Sequence, residues 1–192
     1  MAHPSKEKGD KAEREVVALL TTFTPDLCVE RAERMLGAGR RDDIGDLRVY
    51  PDATMQVKAY KNLAKGLREG AAGALDQQMR SGQQFAVGFT PIPRAPVGDW
   101  TKVRWLAAAY DWPEPDVGLR SSTETFQSAS LAKAVAWLRD RDLDIPIAER
   151  VVELERSGMP TLWVAPIQAW VADYRSVTGR VEPADTSRHH AA

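Results

Sequence analysis

Alternating apolar and polar positions predict a β-hairpin in the first third of the chain. The runs 45–50 and 53–60 are rich in residues that suit strands, and Pro51-Asp52 between them is typical of a turn. Because side chains alternate along a strand, Gln56 and Lys58 are expected to share one face of the second run. The hairpin is therefore predicted to carry an amide and a lysine together on its polar face.

The length of the turn decides which residues of the first strand join that face. With a three-residue loop, Pro51 to Ala53, Asp46 lies opposite Lys58 and Arg48 lies opposite Gln56. With a two-residue loop Asp46 would turn to the other face, because one residue of slip turns every side chain over. We expect the odd loop or a bulge, which places Asp46 beside the amide and the lysine.

The first helix is predicted from Asp10, a residue that suits an N-cap, to Phe23. Glu13 stands three, four and seven residues before apolar positions of this helix, so it is expected on the core-facing side. An acid there costs free energy unless a cation or hydrogen bonds meet it, which selects Glu13 over Glu15 as a functional residue. The alternative is a glutamate at the edge of the stripe that reaches water. The apolar stripe consists of Val16, Val17, Leu20 and Phe23.

The pattern predicts further elements along the whole chain. Helices are expected at 62–81, 129–140, 147–157 and 166–177, and strands at 27–30, 84–90 and 161–165. The segment 102–110 fits a strand or a short helix, 31–43 a flexible loop, and 112–127 a loop. Glycines within 62–81 weaken that helix prediction. Its expected apolar face is formed by Leu63, Leu67, Ala71, Ala74, Leu75 and Met79.

Length and composition favour a single domain. A chain of 192 residues with 43% hydrophobic residues can bury one sizeable core. We expect that domain at 1–177, with an insertion at about 94–158 and a disordered polar tail at 178–192. The insertion could form a DNA-facing lobe, a dimer surface or additional core. The formal net charge of −1 gives no overall basic field, so any contact with DNA must come from local placement of charge.

The cysteine count and the hydropathy indicate a cytoplasmic protein. One cysteine, Cys28, excludes an intramolecular disulfide and a cysteine-based zinc site. No apolar run approaches the roughly 18 residues that a membrane span requires, so no membrane partner is expected. The three histidines lie near the two ends of the chain, which argues against a histidine-based catalytic or metal site.

Three segments carry a resemblance to a known family. Asp46, followed ten residues later by Gln56-Val57-Lys58, resembles the D…(D/E)-x-K signature of the PD-(D/E)XK nuclease superfamily, with glutamine in place of the second acid. The segment 8–15, KGDKAERE, resembles the opening of archaeal-type Holliday junction resolvases, and the Gly/Arg-rich segment 37–46 is also similar to that family. The match covers roughly residues 6 to 90.

The resemblance implies an α/β fold with a restriction-endonuclease-like mixed central sheet flanked by helices. It also implies a Mg²⁺-dependent endonuclease, with Mn²⁺ as a substitute, that acts on branched or duplex DNA as a homodimer. Asp46 would ligate the metal, Gln56 would supply a carbonyl oxygen, Lys58 would position or activate the attacking water, and Glu13 would complete the site. Hard oxygen donors of this kind suit Mg²⁺.

Basic residues near these segments are candidates for contacts with the DNA backbone, since the arginine fork matches phosphate oxygens and lysine strips track phosphates. The alternative is a solvated surface whose cations pair with neighbouring acids. Two rival functions stay open: a restriction-type or DNA-end-processing nuclease, and a non-catalytic DNA-binding relative in which Gln56 marks a decayed site. The candidate DNA-binding residues are Arg14, Arg40, Arg41, Lys61, Lys65 and Arg68.

Overall fold

One eight-stranded mixed sheet runs through the computed structural model, which describes residues 4–35, 46–93 and 95–179. The strand order across the sheet is β1-β2-β3-β4-β5-β8-β7-β6. Two neighbouring pairs, β3 with β4 and β6 with β7, are parallel, and the other pairs are antiparallel. The strands are β1 (Glu33–Arg34), β2 (Leu47–Arg48), β3 (Ala53–Val57), β4 (Phe85–Pro91), β5 (Trp105–Ala109), β6 (Thr123–Gln127), β7 (Val151–Glu155) and β8 (Leu162–Pro166).

Helices cover both faces of this sheet. On one face, the core joins Leu20 of the first helix to Trp170 of the last. On the other face, a second core joins Leu67 to Leu138 of the two middle helices. The predicted α/β class with a mixed sheet flanked by helices is therefore confirmed. The helices are α1 (Pro4–Phe23), α2 (Leu63–Ser81), α3 (Leu131–Arg139) and α4 (Ile167–Thr178).

Helix α2 lies in main-chain contact with β4. A Cβ atom built on Gly88 would lie 2.2 Å from the carbonyl carbon of Gly70, so position 88 has no room for a side chain, and a Cβ atom on Gly70 would lie 3.2 Å from the Gly88 Cα. The helix begins at an N-cap, Asn62, whose side-chain oxygen accepts a hydrogen bond from the Lys65 amide at 3.0 Å. The helix predicted at 62–81 is confirmed, and its glycines serve this close approach.

The hairpin is present with the predicted parity but a different register. Leu47 pairs with Met55, so Asp46 lies at the level of Gln56 and not of Lys58. The shift arises because Tyr50 leaves the ladder for the core, where its ring stacks on Tyr174 with centroids 4.8 Å apart. Continuing this register sets Val49 opposite Ala53, so the turn keeps three residues, 50–52, and lies one position before the predicted 51–53.

Other predictions in the first half are wrong at particular residues. Helix α1 begins at Pro4, and Asp10 is an interior residue whose carboxylate pairs with a distant arginine in place of capping the helix. Phe23 is 40% exposed and stacks on Trp100, while Met79 is 80% exposed. The strand expected at 27–30 is replaced by a 3-10 turn, Pro25–Leu27, and the short strand β1 lies within the segment predicted as loop.

The second half differs more from the prediction. The helix expected at 147–157 is instead a 3-10 turn, Ile147–Glu149, followed by strand β7. Val151 and Val152 are buried on opposite faces of the sheet, as expected of a strand that is covered on both sides. The segment 112–127, predicted as loop, contains strand β6. The segment 102–110 contains strand β5, so the 94–158 segment contributes three strands to the common sheet.

The helices predicted at 129–140 and 166–177 and the strands predicted at 84–90 and 161–165 are present with shifts of one to two residues at most ends. In the described part of the chain, no helix combines the length and the apolar character needed to cross a membrane.

Candidate active site at the end of β3

The candidate residues converge at the edge of the sheet where β3 and β4 end. Asp46 immediately precedes β2, which is antiparallel to β3, so it lies beside the last residues of β3. Lys58 follows β3 directly, and its amide donates a hydrogen bond to the Phe89 carbonyl of β4 at 2.9 Å. The sheet therefore brings an acid and a lysine, twelve positions apart in the chain, to one edge.

Asp46 and Lys58 face each other without a tight bond. The Lys58 Nζ lies 3.8 Å from Asp46 Oδ2, and both side chains remain about a quarter exposed, at 28% and 27%. The same Asp46 oxygen accepts a hydrogen bond from the Val57 amide at 2.9 Å, which orients the carboxylate. The pair is thus held by the main chain while its charges stay accessible from solvent.

Glu13 reaches this edge from α1 and is met by Arg34 of β1. Arg34 uses its Nε for the Glu13 carboxylate and its NH2 group for Asp10 Oδ1 at 2.5 Å. Burial raises the pKa of Glu13 above its usual range, Arg34 opposes this shift, and the charges of Asp46 and Asp10 add to it. Glu13 is therefore a shielded acid within electrostatic range of Asp46.

Gln56 packs against helix α2 and bonds to it. Its side chain is 4% exposed and lies beneath Gly73, where a Cβ atom would be 3.5 Å from the Gln56 amide. Its Nε2 donates to Gln77 Oε1 at 2.7 Å. Parity along the strands does place Gln56 on the side of Lys58, as predicted, but its amide is engaged with the helix above it.

The basic candidates are spread around this edge. Lys61 lines a cavity of about 400 Å³ together with Lys8, Tyr60 and Arg104, next to the end of β3. Lys65 is exposed, pairs with Glu69 at 3.6 Å and lies over the Tyr60 ring.

Arg68 is half-buried on α2, whereas Arg14 is exposed on α1 and donates to the main-chain carbonyl of Asp10. Arg40 and Arg41 lie outside the described residues.

Sequence reasoning missed two contributors on α1. Asp10 was assigned to a helix cap, yet it stands one turn before Glu13 and shares its arginine. Glu13 was selected over Glu15 as the functional residue, and the Glu15 side chain is only 14% exposed. It bonds to Arg104 Nε at 3.0 Å and Trp105 Nε1 at 2.9 Å. The spacing of Asp10 and Glu13 was a signal available in the sequence, whereas the partners of Glu15 lie 89 and 90 positions away.

The donors at this edge suit a hard divalent cation in kind, since Asp46 and Glu13 offer carboxylate oxygens. Two existing bonds would compete with metal binding: Arg34 pairs with the Glu13 carboxylate, and Gln77 accepts a hydrogen bond from the Gln56 amide. Within residues 4–35, 46–93 and 95–179, no three acid, histidine or cysteine side chains form a group that could hold a metal ion. Asp46 is consequently the best-placed ligand, and Glu13 becomes one if Arg34 turns away.

Scans of the chain against protein-family models, curated proteins and solved structures give no match.

Proposed function

We propose that the protein is a metal-dependent, structure-specific DNA endonuclease of the PD-(D/E)XK type that cuts branched DNA as a Holliday junction resolvase. The observation that carries the proposal is the accessible Asp46–Lys58 pair, at 3.8 Å, on an edge surrounded by basic side chains. A mixed sheet with helices on both faces agrees with the restriction-endonuclease-like architecture implied by the sequence resemblance.

Each residue has a role that follows from its position. Asp46 and Glu13 would hold Mg²⁺, which polarises the scissile phosphate and lowers the pKa of a bound water. Lys58, oriented by the end of β3, places a positive charge where negative charge develops on the phosphate oxygens. Arg34 would transfer from the Glu13 carboxylate to a DNA phosphate, because its planar fork fits either anion.

A second function has one observation in its favour. Gln56 is buried and its amide donates to Gln77, so the position that the family signature gives to an acid is already engaged with helix α2. A DNA-binding relative without catalytic activity would keep the basic edge and lose the metal. This candidate predicts binding to DNA and no cleavage at any Mg²⁺ or Mn²⁺ concentration.

The decisive experiment compares cleavage of a labelled four-way junction, a linear duplex and a single strand, with and without Mg²⁺. We expect junction cleavage that requires the metal and is lost in Lys58→Ala but kept in Lys133→Ala, which removes an exposed lysine on α3. Preferential cutting of linear duplex would favour a restriction-type or end-processing nuclease. Binding without cutting would favour the non-catalytic relative.

A resolvase of this kind is expected to be a homodimer, since two sites related by a two-fold axis match the symmetry of a four-way junction. Light scattering at micromolar concentration, with and without junction DNA, measures this. A monomer under both conditions would count against the resolvase assignment and leave the other nuclease functions in place.

A further inference from the structure

A second cationic site lies in the 94–158 segment and centres on Arg150. This arginine is only 4% exposed. In the described part of the chain its guanidinium donates only to main-chain carbonyls: Ile145 at 2.8 Å, Leu143 at 3.1 Å, Leu138 at 3.2 Å, and Asp140. Carbonyl oxygens satisfy its hydrogen bonds but carry no net charge, so the buried positive charge lacks an anionic partner there.

The surroundings of Arg150 add to this positive charge. It lines an open cavity of about 380 Å³ together with Lys102, Arg139 and Arg141. Asp140 is the one acid of the lining, and Lys102 pairs with Asp99 at 2.8 Å. Arg139 and Arg141 are exposed and form no ion pair within the residues that the structure describes. The cavity therefore has an excess of positive charge and room for a phosphate group.

The sheet places this cavity on the same edge as Lys58. Strand β5 is antiparallel to β4, so its start lies beside the end of β4, and Lys102 precedes that start. Strand β7 is antiparallel to β8, which is antiparallel to β5, so β5 and β7 point the same way. Arg150 directly precedes β7.

The distance along this edge matches a DNA backbone. Strand β5 lies two neighbours from β3 and strand β7 lies four neighbours away. With about 4.8 Å between strands, the cavity is about 10 to 19 Å from the strand that carries Lys58. One DNA strand advances about 3.4 Å along the helix axis per phosphate, so this span corresponds to roughly three to six nucleotides.

We propose that the cavity formed by Lys102, Arg139, Arg141 and Arg150 binds a backbone phosphate of the same DNA molecule that is cut at Lys58. The inference rests on the proposed function for the identity of the DNA, and it assigns the 94–158 segment a part in holding the substrate. The forks of the exposed Arg139 and Arg141 suit a phosphate because each can donate two parallel hydrogen bonds to its oxygens, while the buried Arg150 contributes its charge.

The test measures binding of a short labelled duplex, without divalent metal, to wild-type protein and to two double variants. Arg139→Gln with Arg141→Gln removes two charges at the cavity. Arg80→Gln with Arg156→Gln removes two exposed charges at the opposite edge, where α2 and β7 end. Both pairs change the net charge equally, so the comparison separates a local contact from the general attraction of DNA.

We expect the cavity pair to weaken duplex binding and to reduce the slope of log affinity against log salt by about 0.9 for each lost phosphate contact. The opposite-edge pair should retain the wild-type slope. Equal slopes for the two pairs, or a cavity pair that binds like the wild type, would overturn the proposal.

A second measurement distinguishes a backbone phosphate from a free one. Inorganic phosphate is titrated into the wild-type protein while the amide resonances of the 139–150 segment are followed, and duplex is then added. Displacement of the phosphate by duplex supports the backbone assignment, whereas phosphate that stays bound refutes it. Neither readout needs cleavage, so a wild type that fails to cut would remove the nuclease assignment without deciding this one.

Discussion

Two aspartates of this protein differ in how tightly they are bonded to a neighbouring cation. Asp173 of α4 is buried, and its carboxylate receives Arg120 through both oxygens, at 2.8 and 2.9 Å, and Trp112 Nε1 at 2.7 Å. Asp46 has one hydrogen bond from the main chain and a lysine 3.8 Å away. The Asp173 carboxylate is bonded by side chains of the fold, whereas the Asp46 carboxylate can still accept bonds from an ion or ligand that binds from solvent.

This difference indicates which of the two carboxylates could bind a metal ion. A carboxylate held by a bidentate arginine and an indole N–H would lose those bonds on meeting a metal ion, and the arginine would then be left without its partner. Asp46 could accept a cation with little rearrangement, because Lys58 is a flexible point charge and the Val57 amide can stay bonded.

The largest effects are expected from Asp46→Asn and Asp173→Asn. Asp46→Asn keeps an oxygen for the Val57 amide but removes the charge, so cleavage should fall at least about a hundredfold while the fold stays intact. Asp173→Asn should lower the free energy of unfolding by about 2 to 3 kcal/mol, with cleavage per folded molecule unchanged, because Arg120 is partly exposed and can be hydrated. Junction cleavage and urea denaturation of both variants measure this, and a wild-type rate in Asp46→Asn would end the site assignment.

The two glutamates of α1 should show the same contrast with smaller effects: substitution of Glu13 should affect cleavage, and substitution of Glu15 should affect stability. Glu13→Gln should reduce turnover about tenfold because it removes charge beside Asp46. Glu15→Gln should instead reduce the free energy of unfolding by about 1 to 2 kcal/mol, because Arg104 and Trp105 lose a charged acceptor. Steady-state cleavage and denaturation of both proteins measure this; equal losses of turnover would show that the two acids have the same role.

Gln56→Glu should change the metal requirement only a few-fold. An added carboxylate supplies charge that an amide lacks, so less Mg²⁺ should be needed for half-maximal cleavage, with no change in which DNA structures are cut. The loss of the Gln56 donor to Gln77 should cost about 1 kcal/mol of folding stability. Gln84→Glu, an exposed position at the other end of β4, is the matched control. An unchanged or higher metal requirement would exclude Gln56 as a ligand.

The smallest effect is a pH dependence from Glu13. Its pKa is raised from the ordinary 4.5, so protons compete with a metal ion at a higher pH than for a solvated glutamate. As the pH falls, the Mg²⁺ concentration needed for half-maximal cleavage by the wild type should increase, and this increase should start while the pH is still above 4.5. Glu13→Gln should abolish the increase. Folding stability should change in the opposite direction. Because the pKa of Glu13 is raised in the folded protein, its stabilising contribution to the free energy of unfolding is fully present below pH 4.5 and is lost as the pH rises through the raised pKa. A metal titration at several pH values, with denaturation alongside, checks both signs.

The parts of this fold that depend on local pattern could be predicted. Alternation located β3, and helical spacing located α2 and α4, because these elements bury one face each or carry clear boundaries. The run 147–157 was misassigned because Val151 and Val152 are buried on opposite faces, and single-sequence spacing does not distinguish a strand covered on both sides from a short helix.

For the candidate site, parity was enough to group Asp46 with Lys58, since it needs only the alternation of side chains. The register was missed because Tyr50 is drawn from the ladder by aromatic rings more than a hundred positions later. The partners of Glu13, Glu15 and Gln56 are likewise set by tertiary contacts, so their bonds could not be derived from the sequence.

The main-chain contact between Gly70 and Gly88 has a consequence for the size of any substrate. It leaves no layer of side chains between helix and sheet, and the Lys58 stem runs under α2, 3.6 Å from where a Gly70 Cβ would lie. The broad face of the sheet is closed there, so the DNA of the proposed function would have to meet Lys58 at the rim formed by strand ends. Eight strands set about 4.8 Å apart give a rim of about 34 Å, which is one helical turn of B-DNA. If DNA lies along this rim as proposed, the footprint would follow the number of strands, and each strand added to or removed from the sheet would change it by about one and a half base pairs.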